Sequence, residues 1–275
     1  MEDDVSKTLR TSDPSVRRAA EALQSAAARR SPCLPVRALI GVDDPDVAYA
    51  VQQRVVAARV DAGARIVGRK IGLTAPVVQK QLGVDQPDFG ILLDDMSCAA
   101  GAVVALDCLL QPKVEAEIGF VLAEDLAEGD LSYEQVHGAV AYAVAALEIV
   151  DSRIAGWDIT FADTVADNAS SGLFVLGDER RTLGEFEPQS VNMTMSVDGD
   201  VVSTGTGADC LGDPLNALRW LAVTARDFGQ PLQAGQVVLS GALGPMVPVA
   251  GPCHVRADIS GLGSVSTTFV KELVR

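Results

Sequence analysis

The stretch QPKVEAEIGFVL, residues 111–122, places two glutamates inside an otherwise apolar run that alternates like a β-strand. Residues i and i+2 of a strand point to the same face, about 6.6 Å apart, so Glu115 and Glu117 project together. Neighbouring like charges raise each other's pKa and cost stability. The strand therefore carries either a solvated face or a carboxylate site that an opposite charge stabilises.

A third glutamate favours the carboxylate site. Glu148 lies in AVAALEIVD, an apolar run that predicts a buried strand. A buried, unpaired carboxylate costs several kcal/mol or must be protonated, and a divalent cation removes that cost. Carboxylate oxygens are the hard ligands that Mg²⁺ and Mn²⁺ prefer. We therefore expect Glu115, Glu117 and Glu148 to form one metal site.

The order of the remaining patterns indicates the fold class. Two capped helices come early, SDPSVRRAAEALQSAAARR with Ser12 or Asp13 as its cap and DDPDVAYAVQQRVVAARVDAG ending at Gly63. Strand patterns dominate later, in GQVVLSG, CHVRADIS and SVSTTFV, with a hairpin around residues 198–200 and one further helix in GDPLNALRWLAVTARDFG. This order favours an α+β or mixed-sheet fold over a doubly wound one.

Four segments between these elements contain candidate functional residues. RIVGRKIGL predicts a strand, on which Lys70 is either an exposed edge lysine or, between two glycines, a functional cation. TAPVVQKQLG predicts a short helix that ends at Gly83. VDQPDFG predicts a loop, in which Asp88 either forms the turn or acts as an acid or base. WDITFADTVADNASSG has no clean period and predicts a functional loop.

Charge and residue usage exclude several classes of protein. A net charge of −15 disfavours nucleic-acid binding. Apolar runs stay shorter than the roughly 20 residues that span a bilayer, and the polar start MEDDVSKTLR is no signal peptide. Five cysteines without C-x-x-C spacing suit a reducing cytoplasm. The chain has only two histidines, which disfavours a catalytic triad or a His-rich zinc site.

Six blocks of sequence together closely resemble one enzyme family. They are VGRKIGLTAPVVQKQLGVDQPDFG, LQPKVEAEIGFVL, ALEIVDSRI, DTVADNASSG, CLGDPLNALRWLA and LSGALGPMVPV. The resemblance is to the 2-keto-4-pentenoate hydratases of the fumarylacetoacetate hydrolase-like superfamily, from about residue 35 onwards. It implies a mixed β-sheet roll or sandwich. We expect a catalytic domain over residues 64–275 and a packed helical region over residues 1–63.

The resemblance also assigns roles to individual residues. It implies that Glu115, Glu117 and Glu148 bind Mg²⁺ or Mn²⁺, and that Lys70 and Asp88 are catalytic. Lys70 and four further residues are expected to contact substrate: Asp163, Ser171, Ser240 and Gly241. Asn168, Ser170 and Ser171 either donate hydrogen bonds to substrate or cap a turn. Alternatively, Asp163 and Asp167 hold other site residues in place without contacting substrate.

The function that the resemblance implies is hydration of a 2-hydroxy-2,4-dienoate, in the degradation of aromatic compounds after ring cleavage. The related 4-oxalocrotonate decarboxylases share the E-x-E pair and VADNAS but lack the aspartates that stand here as Asp88 and Asp163. The presence of both aspartates in this chain therefore favours hydration. A non-catalytic accessory subunit is the third alternative, against which the complete set of candidate residues argues. The resemblance further implies a homo-oligomer, and members of the family can associate with neighbouring enzymes of the pathway.

Overall fold

The computed structural model describes residues 13–42, 44–75, 79–80 and 84–273 of the chain. The short helix expected in TAPVVQKQLG lies mostly outside these residues. No helix among the described residues is both long and apolar enough to cross a membrane.

The first part of the described chain, from residue 13, is helical, as the capping patterns predict. Helices α1 (Pro14–Arg29), α2 (Arg37–Ile40) and α3 (Pro45–Asp61) follow one another, and α1 packs against α3. Asp13 caps α1 by accepting from the Ser15 amide at 2.7 Å. Helix α3 buries an apolar stripe in the same core as the strands below. The boundary at residues 63 and 64 remains a prediction.

A mixed sheet forms the centre of the molecule. Its order is β2 (Asp88–Leu93), β1 (Ile66–Gly72), β10 (Val237–Leu239), β5 (Pro112–Leu122), β6 (Val140–Asp151), β7 (Ser171–Leu176) and β3 (Ser97–Cys98), while β11 (Val247–Pro248) also pairs with β5. The β1–β10 and β3–β7 pairs are parallel, and the other pairs are antiparallel. Strands β5 and β6 are the longest and pair over nearly their whole length. The three glutamates lie on these two strands.

A second sheet packs against β6 and β7 and covers one side of the first. Its order is β4 (Val103–Ala105), β13 (Gly263–Val270), β12 (Cys253–Ile259), β8 (Asn192–Val197) and β9 (Asp200–Thr206). The remaining helices are α4 (Tyr133–Gly138), α5 (Phe161–Ala166) and α6 (Pro214–Asp227), of which Asp213 caps α6. The predicted hairpin corresponds to β8 and β9. The α+β, mixed-sheet prediction is confirmed.

Two segments that the sequence predicts as loops are regular. Asp88 opens strand β2 instead of lying in a loop, because β2 pairs antiparallel with β1 from Gly72 to Ile66. The segment after Trp157 contains helix α5, whose six residues are too few to display a helical period. At Asp88, the pairing with β1 overrides the local turn signals of the neighbouring proline and glycine.

Candidate metal centre

Three buried glutamates meet on one face of the central sheet. Glu115 on β5 lies directly opposite Glu148 on β6, and Glu117 is two residues further along β5. One carboxylate oxygen from each residue lies within 4.8 Å of the other two. Glu115 is 7 % exposed, and Glu117 and Glu148 are 0 % exposed, which rules out a solvated face.

Several oxygens of this cluster lack a hydrogen-bond donor. Glu117 Oε2 accepts from the Gly241 amide at 2.7 Å, whereas Glu117 Oε1 and both oxygens of Glu148 have no hydrogen-bond partner. Lys70 Nζ lies 3.3 Å from Glu148 Oε1, an ion-pair contact without hydrogen-bond geometry. Buried oxygens are normally satisfied, so these free lone pairs point to a missing partner. Three hard carboxylates with vacant lone pairs fit a divalent cation such as Mg²⁺ or Mn²⁺.

The electrostatics of the cluster support the same conclusion. Burial, and next the charge of Glu148, raise the pKa of Glu115 to about 8. The same causes hold the pKa of Glu117 well above its usual value. In the absence of a cation, Glu115 therefore retains its proton near neutral pH. A divalent cation would replace that proton and stabilise the ionised forms of both carboxylates.

Lys70 projects into this cluster from the middle of the sheet. Its strand β1 lies between β2 and β10, and the side chain is buried, so the edge-lysine alternative does not hold. Burial lowers the pKa of Lys70, but the charges of Glu148 and Asp88 outweigh burial and raise the pKa above its usual value. Lys70 is consequently a permanent ammonium group beside three carboxylates.

The glycines on either side of Lys70 allow close packing. A Cβ atom at Gly68 would lie 1.9 Å from the Val237 carbonyl oxygen, and one at Gly72 would lie 2.2 Å from Asp88 Oδ1. Any side chain at these positions would displace a neighbouring strand or the Asp88 carboxylate. The close backbone approach expected from the sequence is therefore present.

Asp88 lies beside Lys70 at the start of β2. It pairs with Gly72 in the strand register, is 1 % exposed, and its Oδ1 has no hydrogen-bond partner. Burial raises the pKa of Asp88 to about 6, against the opposing charge of Lys70. A carboxylate with this pKa exchanges protons readily near neutral pH, as an acid or base must.

Ser240 and Gly241 follow strand β10 and lie against the carboxylates. The Gly241 amide holds Glu117, and a Cβ atom at Gly241 would lie 2.5 Å from the Thr74 side chain. Gly241 also has a φ of +99°, which favours glycine. Ser240 Oγ accepts from the Ile118 amide at 3.1 Å and donates to the Gly241 carbonyl at 3.0 Å. These bonds position Glu117 and its strand.

The ADNASSG segment is held by bonds within the protein. The Asn168 amide group exchanges two hydrogen bonds with the Ile91 backbone on β2, of 2.8 Å and 2.9 Å. Ser171 Oγ donates to the Asn168 carbonyl at 2.8 Å. Asn168, Ala169 and Ser170 all adopt positive φ values between 50° and 54°, a strained conformation for residues other than glycine. The contacts favour the turn-forming alternative for Asn168 and Ser171.

Asp163 and Asp167 in this region form ion pairs with arginines. Asp163 Oδ1 accepts from the Arg37 amide, and Oδ2 accepts from Arg37 Nη1 and from the amide and hydroxyl of Thr160. Asp167 pairs with Arg153, which also donates to the Asp151 and Ser171 carbonyls. Asp163 is thus committed to Arg37 and Thr160 rather than presented to a ligand.

Sequence reasoning missed two supporting residues. Arg153 fastens Asp167 beneath the ADNASSG segment, and Thr74 packs against Gly241. Thr74 directly follows GRKIGL, so its proximity to Lys70 was a usable signal. Arg153 stands in ALEIVDSRI, five residues after Glu148, but nothing in that block identifies its partner.

Known proteins resemble this chain over most of its length. Residues 73–270 match the family described as fumarylacetoacetate (FAA) hydrolase C-terminal. The chain is 52 % identical over 256 residues to the TodF product hydratase of Pseudomonas putida F1, covering 93 % of this chain and 96 % of that protein. It is 51 % identical to the 2-keto-4-pentenoate hydratase of Burkholderia vietnamiensis G4, covering 94 % of this chain and 99 % of that protein.

A solved structure is also similar. The 4-oxalocrotonate decarboxylase of Pseudomonas putida G7, complexed with magnesium and adipate, has a TM-score of 0.89 and 32 % identity, covering 93 % of this chain and 97 % of that chain. Identity over nearly the full length is higher with the hydratases than with this decarboxylase. The chain is therefore a member of the 2-keto-4-pentenoate hydratase family, within the fumarylacetoacetate hydrolase superfamily.

Proposed function

We propose that the protein is a metal-dependent hydro-lyase that hydrates a 2-hydroxy-2,4-dienoate. The observation that carries this proposal is the convergence of Glu115, Glu117 and Glu148 with Lys70 and Asp88 in one buried cluster. In the proposed reaction, the dienol first becomes its 2-oxo-3-enoate tautomer as the 2-hydroxyl loses a proton and C5 gains one. Water then adds its oxygen to C4 and a proton to C3, giving a 4-hydroxy-2-oxo acid.

The three glutamates would hold the cation, and Mg²⁺ or Mn²⁺ suits their oxygens. When bound, the ion supplies Lewis acidity that stabilises negative charge developing on the substrate's 2-oxygen. The decarboxylase structure in complex with magnesium supports this assignment by similarity. The Gly241 amide keeps Glu117 in place, so that the carboxylates stay oriented for binding.

Lys70 would pair with the substrate's carboxylate or 2-oxygen. Its ammonium group is buried and permanently charged, which makes a strong electrostatic contact with an anion. Asp88 would move protons to and from the substrate's carbons or activate the water, since its pKa of about 6 leaves both protonation states accessible. Because Gly72 has no side chain, the Asp88 carboxylate can lie against strand β1 beside Lys70; a Cβ atom at Gly72 would lie 2.2 Å from Asp88 Oδ1.

The other expected substrate contacts take revised roles in this proposal. Asp163 holds Arg37, and Ser240 and Gly241 position Glu117, so we assign these three residues to support of the site. Ser171 keeps a proposed contact through its remaining lone pairs, although its hydroxyl hydrogen is engaged by Asn168. The homo-oligomer and the association with pathway enzymes remain predictions of the family resemblance. The cytoplasmic location remains a prediction from the cysteine usage.

The experiment that tests the proposal follows the ultraviolet absorbance of 2-hydroxypenta-2,4-dienoate with Mg²⁺, with Mn²⁺ and with a chelator. We expect loss of absorbance only with metal, and formation of 4-hydroxy-2-oxopentanoate. Carbon dioxide release from 4-oxalocrotonate, without turnover of the dienoate, would support the decarboxylase instead. Absence of turnover with either substrate and either metal would support the accessory subunit. A panel of dienoates with longer or charged tails then defines the substrate range.

A further inference from the structure

A second pocket lies on the opposite face of strands β1 and β2 from the carboxylates. Side chains alternate along a strand, so Arg69 and Phe89 point away from the face that carries Lys70 and Asp88. Both residues line a pocket of about 240 Å³ between these strands, helix α3 and the end of helix α6. None of the catalytic or metal-binding residues proposed above lines it.

The polar feature of this pocket is a buried guanidinium group. Arg69 is 3 % exposed and forms no ion pair with any carboxylate of the described residues. Two of its nitrogens donate to neutral oxygens, those of the Gln236 side chain and the Gln230 backbone, at 3.2 Å and 2.8 Å. Its Nε has no acceptor at all. A buried charge without a counter-charge costs several kcal/mol, so the site is arranged to receive an anion.

Most of the other lining residues are apolar. Tyr49 and Phe89 stack with their ring centres 4.7 Å apart, and Phe228 packs on Tyr49 at 4.8 Å. Aliphatic side chains form the rest of the apolar lining: Val56, Ala57, Val60, Ile66, Ile91 and Ala225. Aromatic walls of this kind favour a planar unsaturated or aromatic body. The volume is below the roughly 300–1,000 Å³ of pockets for drug-sized ligands, which limits that body to about one ring.

The rim sets the charge of the ligand. Asp61 lies at the mouth of the pocket and is exposed, as is Ala57 on the same helix. A second negative charge on the ligand would face the Asp61 carboxylate. One negative charge, by contrast, would face the Arg69 guanidinium, of whose five N–H groups two donate to Gln236 and Gln230 and three are left to pair with a carboxylate.

We propose that this pocket is a binding site for a planar monocarboxylate, in which Arg69 pairs with the carboxylate and the Tyr49, Phe89 and Phe228 rings contact the body. The site is separate from the metal centre, and the proposal does not depend on the proposed hydratase reaction. Because Arg69 and Phe89 directly adjoin Lys70 and Asp88 in the chain, the ligand would lie behind the two strands that carry those residues.

The test measures binding of benzoate to the Mg²⁺-loaded protein by titration calorimetry, with benzamide as the neutral analogue of the same shape. We expect one benzoate site per chain and at least tenfold weaker binding of benzamide. Arg69→Met should weaken benzoate binding at least tenfold, since it removes the charge and keeps the length. Ala57→Trp, on the exposed side of α3, should do the same by blocking the mouth while leaving Arg69 intact.

Two control variants distinguish this pocket from the metal centre and from benzoate binding at surface arginines. Arg59→Met removes a surface arginine of helix α3 that pairs with Asp95 and does not line the pocket. This variant should bind benzoate unchanged. Glu117→Gln should also leave it unchanged, because the metal centre is not involved. If Arg69→Met does not fold, Ala57→Trp and benzamide still decide the matter.

The proposal is overturned by any of four results: no benzoate binding at millimolar concentration, equal binding of benzamide, undiminished benzoate binding in folded Arg69→Met or Ala57→Trp, or loss of binding in Glu117→Gln.

Discussion

Glu115 and Glu148 face each other directly across strands β5 and β6, both buried. Like charges in this position destabilise a strand pair. Lys70, 3.3 Å from Glu148, supplies one positive charge against three glutamates and Asp88. The cluster therefore remains short of positive charge, and this deficit is the physical reason for expecting a divalent cation.

The first prediction concerns the metal. Glu148→Gln removes one anionic ligand and should weaken Mg²⁺ and Mn²⁺ binding by more than the roughly 10–100-fold that loss of an outer-shell partner costs. Titration calorimetry on the folded variant measures this change. Glu134→Gln, an exposed glutamate on helix α4, is the matched control and should bind metal normally. Equal metal affinity in the two variants would remove Glu148 from the site.

The second prediction concerns pH. The pKa of Glu115 is about 8 in the folded, metal-free protein, whereas an unfolded glutamate has a pKa of about 4.3. Between these values the folded state keeps a proton that the unfolded state has lost, so the free energy of unfolding falls as pH rises. Asp88, with its pKa raised to about 6, contributes with the same sign.

Metal reverses this trend because it binds the deprotonated carboxylates. Thermal unfolding from about pH 5 to about pH 8 should show a metal-free protein that becomes less stable and a Mg²⁺ stabilisation that grows. Glu115→Gln should flatten the metal-free slope. A metal-free unfolding temperature that rises steadily over this range would contradict the assignment.

The third prediction separates the role of Lys70 from that of the ligands. Lys70→Met removes the cation that would contact substrate, so kcat/KM for the dienoate should fall at least 100-fold, about 2.7 kcal/mol. Metal affinity should not fall, because the variant loses a positive charge that repels the ion. Lys271→Met, on the surface, is the control for both measurements. Loss of metal binding in Lys70→Met would instead indicate that Lys70 maintains the carboxylate geometry.

The fourth prediction concerns the close contact between the Gly72 backbone and the Asp88 carboxylate. Gly72→Ala places a methyl group 2.2 Å from Asp88 Oδ1, and the buried carboxylate must move. We expect at least a tenfold loss of kcat/KM and destabilisation of about 1–3 kcal/mol. Gly138→Ala is the matched control, since a Cβ atom there meets nothing within 4 Å. Equal activity in the two variants would show that the position of Asp88 does not matter.

Part of the fold and of the site follows from sequence alone, for physical reasons. Capped helices and long alternating strands are local patterns, so the α+β class and the strands of Glu115 and Glu148 were predictable. The pairing of Asp88 with β1 depends on a distant strand, and the proline and glycine around it indicated a loop. The ion pair between Arg37 and Asp163 joins residues 126 positions apart, and the sequence around neither residue indicates the other as its partner.

The last prediction follows from that pair of residues. Arg37 bridges two aspartates, and the side chain of Asp163 is 0 % exposed whereas that of Asp158 is 67 % exposed. Asp163→Ala leaves the partly buried donors of Arg37 and Thr160 without their acceptor and should destabilise the protein by about 1–3 kcal/mol. Asp158→Ala removes a surface pair and should cost under about 1 kcal/mol.

Denaturant unfolding of the Mg²⁺-loaded variants measures both changes. Because Asp163 anchors helix α2 to helix α5, the larger loss should occur with the metal affinity unchanged. An Asp163→Ala variant as stable as Asp158→Ala, but with a raised KM for the dienoate, would return Asp163 to the substrate contacts that the family resemblance implies.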